Sequence, residues 1–176
     1  MKIIDFVRSS SALALMAVPA TMAGAQSVFD PAPIISAFNE TCRRGFPNLG
    51  TIGRHAESQG WIRRSARLIA ERSDPKLRTV AMPDFFGKGD MMLMLDSPNA
   101  LTSRTSCGIA VSGQKTLDIG AFAEAVSVAL DGAQPTLTKK RGLEQATWQV
   151  KSGMVVQASV MKSGRIRTLN LVVQTS

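Results

Sequence analysis

The sequence predicts a single two-layer α+β domain in which helices come first and a mostly antiparallel sheet follows. Three observations support this prediction. Apolar residues recur at helical spacing early in the chain, β-prone runs joined by short Gly-containing turns fill its end, and 44% hydrophobic residues are enough to build a core. The length of 176 residues favours one domain. The predicted order of elements is α-α-(α)-β-β-β-α-β-β-β.

The first 25 residues are typical of a cleaved secretory signal peptide. Lys2 and Arg8 are its basic residues, residues 12–18 are apolar, and the small residues Ala-Gly-Ala at 23–25 precede the expected cleavage site. The apolar run is too short to span a membrane as a helix. We therefore expect an exported protein, periplasmic or secreted, with one folded domain over residues 26–176 and no transmembrane span in the mature chain.

The two cysteines, Cys42 and Cys107, both lie in the mature chain. Exported proteins meet an oxidising compartment, where such a pair usually forms a disulfide. A catalytic redox pair favours the close spacing C-x-x-C, so the wide separation favours a structural bridge over a reactive pair or a bond to another chain. Two Cys and one His leave little material for a zinc site or a His-based catalytic network, and we expect no metal and no cofactor.

Residues typical of helix starts and helix ends flank three segments of the chain. Asp30-Pro31 begins the first helix, Gly45 and Pro47 end it, and its apolar stripe consists of Ile34, Ile35, Phe38 and Cys42. Thr51 is the predicted cap of a second helix that ends at Gly60 and buries Ile52 and Ala56. Residues 61–72 fit a helix or a strand, and we favour the helix. The clearest helix begins at Asp118 and ends at Gly132, with inward residues Ile119, Phe122, Ala123, Val126, Ala129 and Leu130.

The predicted strands fall into two groups. The first group comprises Leu77–Met82, Met91–Leu95 and Thr105–Val111, with a loop over Pro83–Gly89. The second comprises Leu143–Val150, Met154–Met161 and Arg165–Gln174, and short turns at Lys151-Ser152-Gly153 and Ser163-Gly164 predict an antiparallel meander.

Basic residues are concentrated early in the mature chain. Residues 26–176 carry 19 basic and 12 acidic residues, and the segment 43–78 alone has nine basic against three acidic. A basic face attracts anionic partners, and arginine suits carboxylate and phosphate. We therefore expect a non-enzymatic binding protein for an anionic envelope component or an acidic protein. A solvated face is the alternative. The candidate contacts are Arg43, Arg44, Arg54, Arg63, Arg64 and Arg67.

Nucleic acid is not an expected partner, because few aromatic residues are present to stack on bases and no reading motif occurs.

A second hypothesis is an inhibitor or immunity-like protein that blocks an exported enzyme. Its interface loop would be residues 83–90, with Phe85 and Phe86 as anchors. A third is a small hydrolase that uses the loop carboxylates Asp84 and Asp90. The sequence does not indicate an oligomeric state.

Two further motifs have simpler explanations. Met91, Met92 and Met94 could bind Cu(I) through their thioethers, but methionines on a strand usually fill irregular core space. Ser112 and Lys115 match S-x-x-K, a motif of penicillin-binding enzymes. The companion motif K-T-G is missing and the chain is too short for that fold, so we treat the match as chance.

Overall fold

An eight-stranded antiparallel sheet with three helices on one face forms the body of the protein. The computed structural model describes residues 29–64, 83–98, 103–113, 118–151 and 153–175. The predicted signal peptide, the rest of the ambiguous segment at 65–72, the predicted strand Leu77–Met82, and Arg67 lie outside these ranges. The predicted α+β class, two-layer arrangement and antiparallel sheet are confirmed.

The described elements form two blocks along the chain, and in each block helical structure comes first and four strands follow. The helices are α1 (Ala32–Phe38), which continues as a π-helical turn (Asn39–Arg43), α2 (Leu49–Ser58) and α3 (Ile119–Ala129). The strands before α3 are β1 (Ile62–Arg64), β2 (Asp84–Lys88), β3 (Met91–Asp96) and β4 (Ser106–Ser112). Those after α3 are β5 (Thr136–Lys140), β6 (Leu143–Lys151), β7 (Met154–Ser163) and β8 (Ile166–Thr175).

The last strand of the chain joins the two blocks into one sheet. The strand order is β1-β2-β3-β4-β8-β7-β6-β5, so β8 pairs with β4 on one side and with β7 on the other. At the centre, Ile109 pairs with Leu171 and Val111 with Leu169. These four side chains point to the helix-covered face and are buried. The edges of the sheet are β1 and β5.

The N-terminal helix begins as predicted and carries the predicted stripe. The Asp30 side chain accepts a hydrogen bond from the Ala32 backbone N–H at 2.9 Å. Ile34, Phe38 and Cys42 are buried against the sheet. The π-helical turn is wider than an α-helical one, and it turns two consecutive residues, Thr41 and Cys42, into the interior. The Thr41 hydroxyl donates to the Ala37 carbonyl, so this buried polar group is satisfied.

The second helix also forms, but its cap differs from the prediction. The Asn48 side chain accepts from the Thr51 N–H at 3.1 Å, so Asn48 is the cap and Thr51 lies inside the first turn. Ile52 and Ala56 are buried as predicted.

Two predictions near the β1 edge are wrong. Residues 62–64 form a strand rather than a helix, because they pair with β2, with Ile62 opposite Gly87. The predicted loop at 83–89 is strand β2, and the turn comes only at Gly89, whose φ is +60°. Gly87 is a strand residue because it pairs with Ile62 on one side and with Met92 on the other, and the Arg64 side chain crosses it. A Cβ at Gly87 would lie 2.9 Å from Arg64 Nε.

The remaining helix and strand predictions are confirmed, with one addition. The Asp118 side chain caps α3 at the Gly120 N–H, and after Leu130 the chain leaves the helix through Gly132 (φ +81°). Strands β3, β4, β6, β7 and β8 agree with their predicted ranges within two residues. Strand β5 was not predicted.

The disulfide ties the helical layer to the centre of the sheet. Cys42 in the π-helical turn bonds Cys107 in β4, with the two Cα atoms 5.4 Å apart, and both cysteines are fully buried. A second tie is polar, since the buried Trp148 indole N–H donates to the Ser127 hydroxyl of α3 at 3.0 Å. None of the helices within the described ranges combines the length and the apolar character that a bilayer-spanning helix requires.

Candidate anion-binding cleft

The five predicted arginine candidates that the structure describes do not gather on one face. Arg43 sits at the end of the π-helical turn, where it donates to the Ala129 carbonyl at 2.5 Å and pairs with Asp131 at 3.1 Å. It thus joins α1 to the end of α3. Arg54 lies on α2, where it reaches the Thr51 hydroxyl at 3.4 Å.

Arg63 and Arg64 are neighbours in β1, and their side chains lie on opposite faces of the sheet. Arg63 is on the helix side, where it contacts Glu57 at 2.9 Å and Asp84 at 3.0 Å. Its guanidinium carbon lies 4.7 Å from the ring centroid of Phe86. The hydrogen bond to Glu57 is the largest of the influences that raise the pKa of Arg63. Arg63 is therefore occupied by contacts within its own domain.

Arg44 lies apart from the other described arginines. It lines a cavity of about 360 Å³ beside the π-helical turn, together with Glu40 and the only histidine, His55. Because Glu40 shares this cavity, the local charge is mixed. Among residues 43–64, the described part of the arginine-rich segment, the arginines therefore lie apart rather than on one continuous basic surface.

The residues of the other two hypotheses are also dispersed. Phe86 is fully buried, so it is not available as an interface anchor, and Phe85 is partly exposed within a strand on the uncovered face. Asp84 and Asp90 lie at opposite ends of β2. The four strand steps from residue 84 to 88 alone span about 13 Å. That separation exceeds the spacing of paired catalytic carboxylates in glycosidases.

A second basic segment carries the same net positive charge as the first. Residues 139–167 contain seven basic residues and one acidic residue, a net charge of +6. The segment 43–78 also has +6, and the rest of residues 26–176 carries −5. The excess charge of residues 26–176 is therefore not confined to 43–78, because residues 139–167 carry the same net charge.

The hairpins bring this second segment together. Leu143 begins β6 opposite Met161 near the end of β7, so the β5–β6 and β7–β8 turns lie at the same end of the sheet. The Lys162 N–H donates to the Gly142 carbonyl at 3.0 Å, which holds one turn against the neighbouring strand. Lys162 pairs directly with Arg167 across β7 and β8.

A cleft of about 460 Å³ opens between these elements. That volume is in the range of small-ligand sites. Five of its nine lining residues are basic and one is acidic; the nine are Lys139, Lys140, Arg141, Gly142, Leu143, Glu144, Val160, Lys162 and Arg167.

The charges of the cleft are only partly compensated. Lys139 Nζ lies 2.7 Å from Glu144 Oε1, which uses the single carboxylate. Within the described ranges, Lys140, Arg141 and Lys162 have no carboxylate at ion-pair distance. Lys162 and Arg167 pair directly across β7 and β8, so their side chains lie on the same face of the sheet beside the cleft. The cleft is therefore suited to holding an anionic group.

The described residues that line the cleft offer mainly cationic groups. The lining of the cleft includes no Ser, Thr, Cys or His side chain, and its one carboxylate is held by Lys139. In the part of the chain that the structure describes, no three His, Cys, Asp or Glu side chains are arranged to hold a metal ion. Met92 and Met94 lie on the uncovered face and Met91 on the other, as their alternation along β3 predicts.

Sequence reasoning missed this cleft because strand β5 was not predicted. The signal was present as two basic clusters, Lys139–Arg141 and Lys162–Arg167, each beside a glycine.

Fold and site together define a disulfide-linked α+β protein whose open sheet carries a basic cleft at one end. Comparison with models of protein families, with curated proteins and with solved structures gave no significant match.

Proposed function

We propose that this chain is an exported, non-enzymatic binding protein that holds an anionic partner in the basic cleft. The single observation that carries the proposal is that five of the nine residues lining one cleft are basic and one is acidic. Export is supported by the signal-peptide pattern of residues 1–25 and agrees with the buried Cys42–Cys107 disulfide.

Binding of this kind depends on long-range attraction and on close charge-assisted contacts. A concentration of like charge around a concave surface raises the local concentration of counter-ions and speeds the approach of an anionic ligand. Lys140, Arg141 and Lys162 are the side chains to test, because they have no carboxylate at ion-pair distance within the described ranges. We expect each to contribute about 0.5–1 kcal/mol, and three together to change affinity by about 10- to 100-fold.

The test compares two variants that each remove three positive charges. The first is Lys140→Gln/Arg141→Gln/Lys162→Gln in the cleft, and the second is Arg44→Gln/Arg54→Gln/Arg64→Gln in the arginine-rich segment. Binding to sodium polyphosphate and to poly-glutamate is measured by calorimetry at low and moderate salt, since electrostatic binding weakens as salt rises.

The proposal predicts that the cleft variant loses at least tenfold in affinity for one of these polyanions, and that the control variant loses less than threefold. Equal losses in both variants would mean that overall charge, rather than the cleft, attracts the polyanion, and would overturn the proposal. Absence of binding to both polyanions at low salt would also overturn it.

A further inference from the structure

The free edge of the sheet runs directly into the basic cleft. Strand β5 pairs with β6 on one side, and among the described residues no strand lies on its other side. All five residues of β5 are exposed, and the exposed fraction of Leu137 is 58%. An edge of this kind presents unpaired backbone N–H and C=O groups to any extended chain that approaches. It is therefore a template for one more strand.

The charges at the end of β5 determine which side chains an added strand should have there. Lys139 and Lys140 are the last two residues of β5, and their side chains point to opposite faces of the sheet. Arg141 follows in the turn, and all three residues line the cleft. An added strand would therefore have basic side chains of β5 beside it on both of its faces. Opposite charges across neighbouring strands stabilise pairing, so acidic side chains fit this end.

The same charges disfavour a second copy of this chain as the occupant. Suppose that two copies of β5 paired with each other, centred on Thr138. Each copy has two lysines, so four lysine side chains would lie within a ladder of five residues. Lysines on edge strands oppose this kind of self-association in natural sheets. A small anion or a polysaccharide would use the cleft but not the backbone groups of β5. An acidic polypeptide uses both.

We propose that an extended acidic polypeptide segment adds to β5 as a further strand and places its carboxylates at the basic cleft. This inference rests on the proposed function and specifies the class of partner. Strand addition supplies backbone hydrogen bonds, which give affinity, while alternate side chains give selectivity. Leu137 offers an apolar contact to a side chain of the added strand beyond the charged end.

The experiment uses a labelled peptide of alternating Glu and Val, about ten residues long, which suits an extended strand. Two further peptides carry the same charges but are N-methylated on the backbone, one at every Glu and the other at every Val. An extended strand turns the N–H groups of alternate residues to one edge. Fluorescence anisotropy measures binding of each peptide to the mature chain and to Lys140→Gln/Arg141→Gln/Lys162→Gln.

We expect one methylated set to weaken binding at least tenfold and the other to change it less than threefold. We also expect the unmethylated peptide to lose at least tenfold with the cleft variant. Equal affinity of all three peptides would overturn strand addition and leave anion binding intact. Binding of polyphosphate without binding of the peptide would have the same meaning. Failure of both polyphosphate and poly-glutamate would instead remove the proposed function. Sedimentation of the protein as a dimer that dissociates on Leu137→Lys would assign the edge to a second copy and overturn the inference.

Discussion

Removing the disulfide should cost this domain a large part of its stability. Cys42 and Cys107 are separated by 65 positions, and a cross-link of that length lowers the entropy of the unfolded chain by an amount worth about 4 kcal/mol. Both cysteines are fully buried, so Cys42→Ala/Cys107→Ala also removes two packed sulfur atoms. A domain of ordinary stability has roughly 5–15 kcal/mol to lose. We therefore expect the variant to be marginally folded.

Urea denaturation of the mature chain measures this loss as a decrease in the free energy of unfolding. Wild-type protein kept reduced is the matched control, because it lacks the covalent link but keeps both sulfur atoms. The reduced protein should show most of the decrease, and the double alanine variant slightly more. A decrease below about 1 kcal/mol in the reduced protein would refute the chain-entropy argument for this domain.

Three further predictions concern single residues and use the same denaturation assay. Ser127→Ala leaves the buried indole N–H of Trp148 without its acceptor and should cost about 1–3 kcal/mol, whereas Ser127→Thr keeps a hydroxyl and should cost less. Gly108→Ala places a Cβ 2.8 Å from Val172 Cγ2 and should cost about 1–3 kcal/mol, part of which Val172→Ala should restore. Burial raises the pKa of Asp96, which means that its charged form is less stable in the folded than in the unfolded chain. Asp96→Asn should therefore be more stable than wild type at neutral pH, and this advantage should vanish in acid, where both states of the wild type are protonated.

The parts of the fold that local chemistry decides were predictable. Asp118 caps α3, and the Asp30 side chain accepts the Ala32 N–H at the start of α1, so both contacts lie within two residues of the aspartate. The stripe of α1 and the meander of β6 to β8 follow from periods and turns within short stretches of sequence. The disulfide was predicted from the expected oxidising compartment and the number of cysteines, and the structure confirms the disulfide.

The parts that depend on distant partners were not predictable in the same way. Strand β1 has three residues, too few to show an alternation, and it is a strand only because β2 pairs with it. Strand β5 is exposed along its whole length, so no buried face marked its residues as a strand. The pairing of β4 with β8 also lacks a local signal, since about 60 residues separate the two strands.

The location of the charge shows why sequence reasoning did not find the basic cleft. Counting along the chain favours segments such as 43–78, where basic residues are close in sequence. Folding brings charges together by a different rule, because in a meander every second turn lies at the same end of the sheet. Residues 139–141 and 162–167 are about 20 positions apart, yet they line one cleft because β6 and β7 form a hairpin between them. By contrast, Arg63 and Arg64 are adjacent but lie on opposite faces, since strand side chains alternate. In a β-meander, basic residues beside alternate turns are therefore better evidence for a shared site than a higher density of charge along one segment.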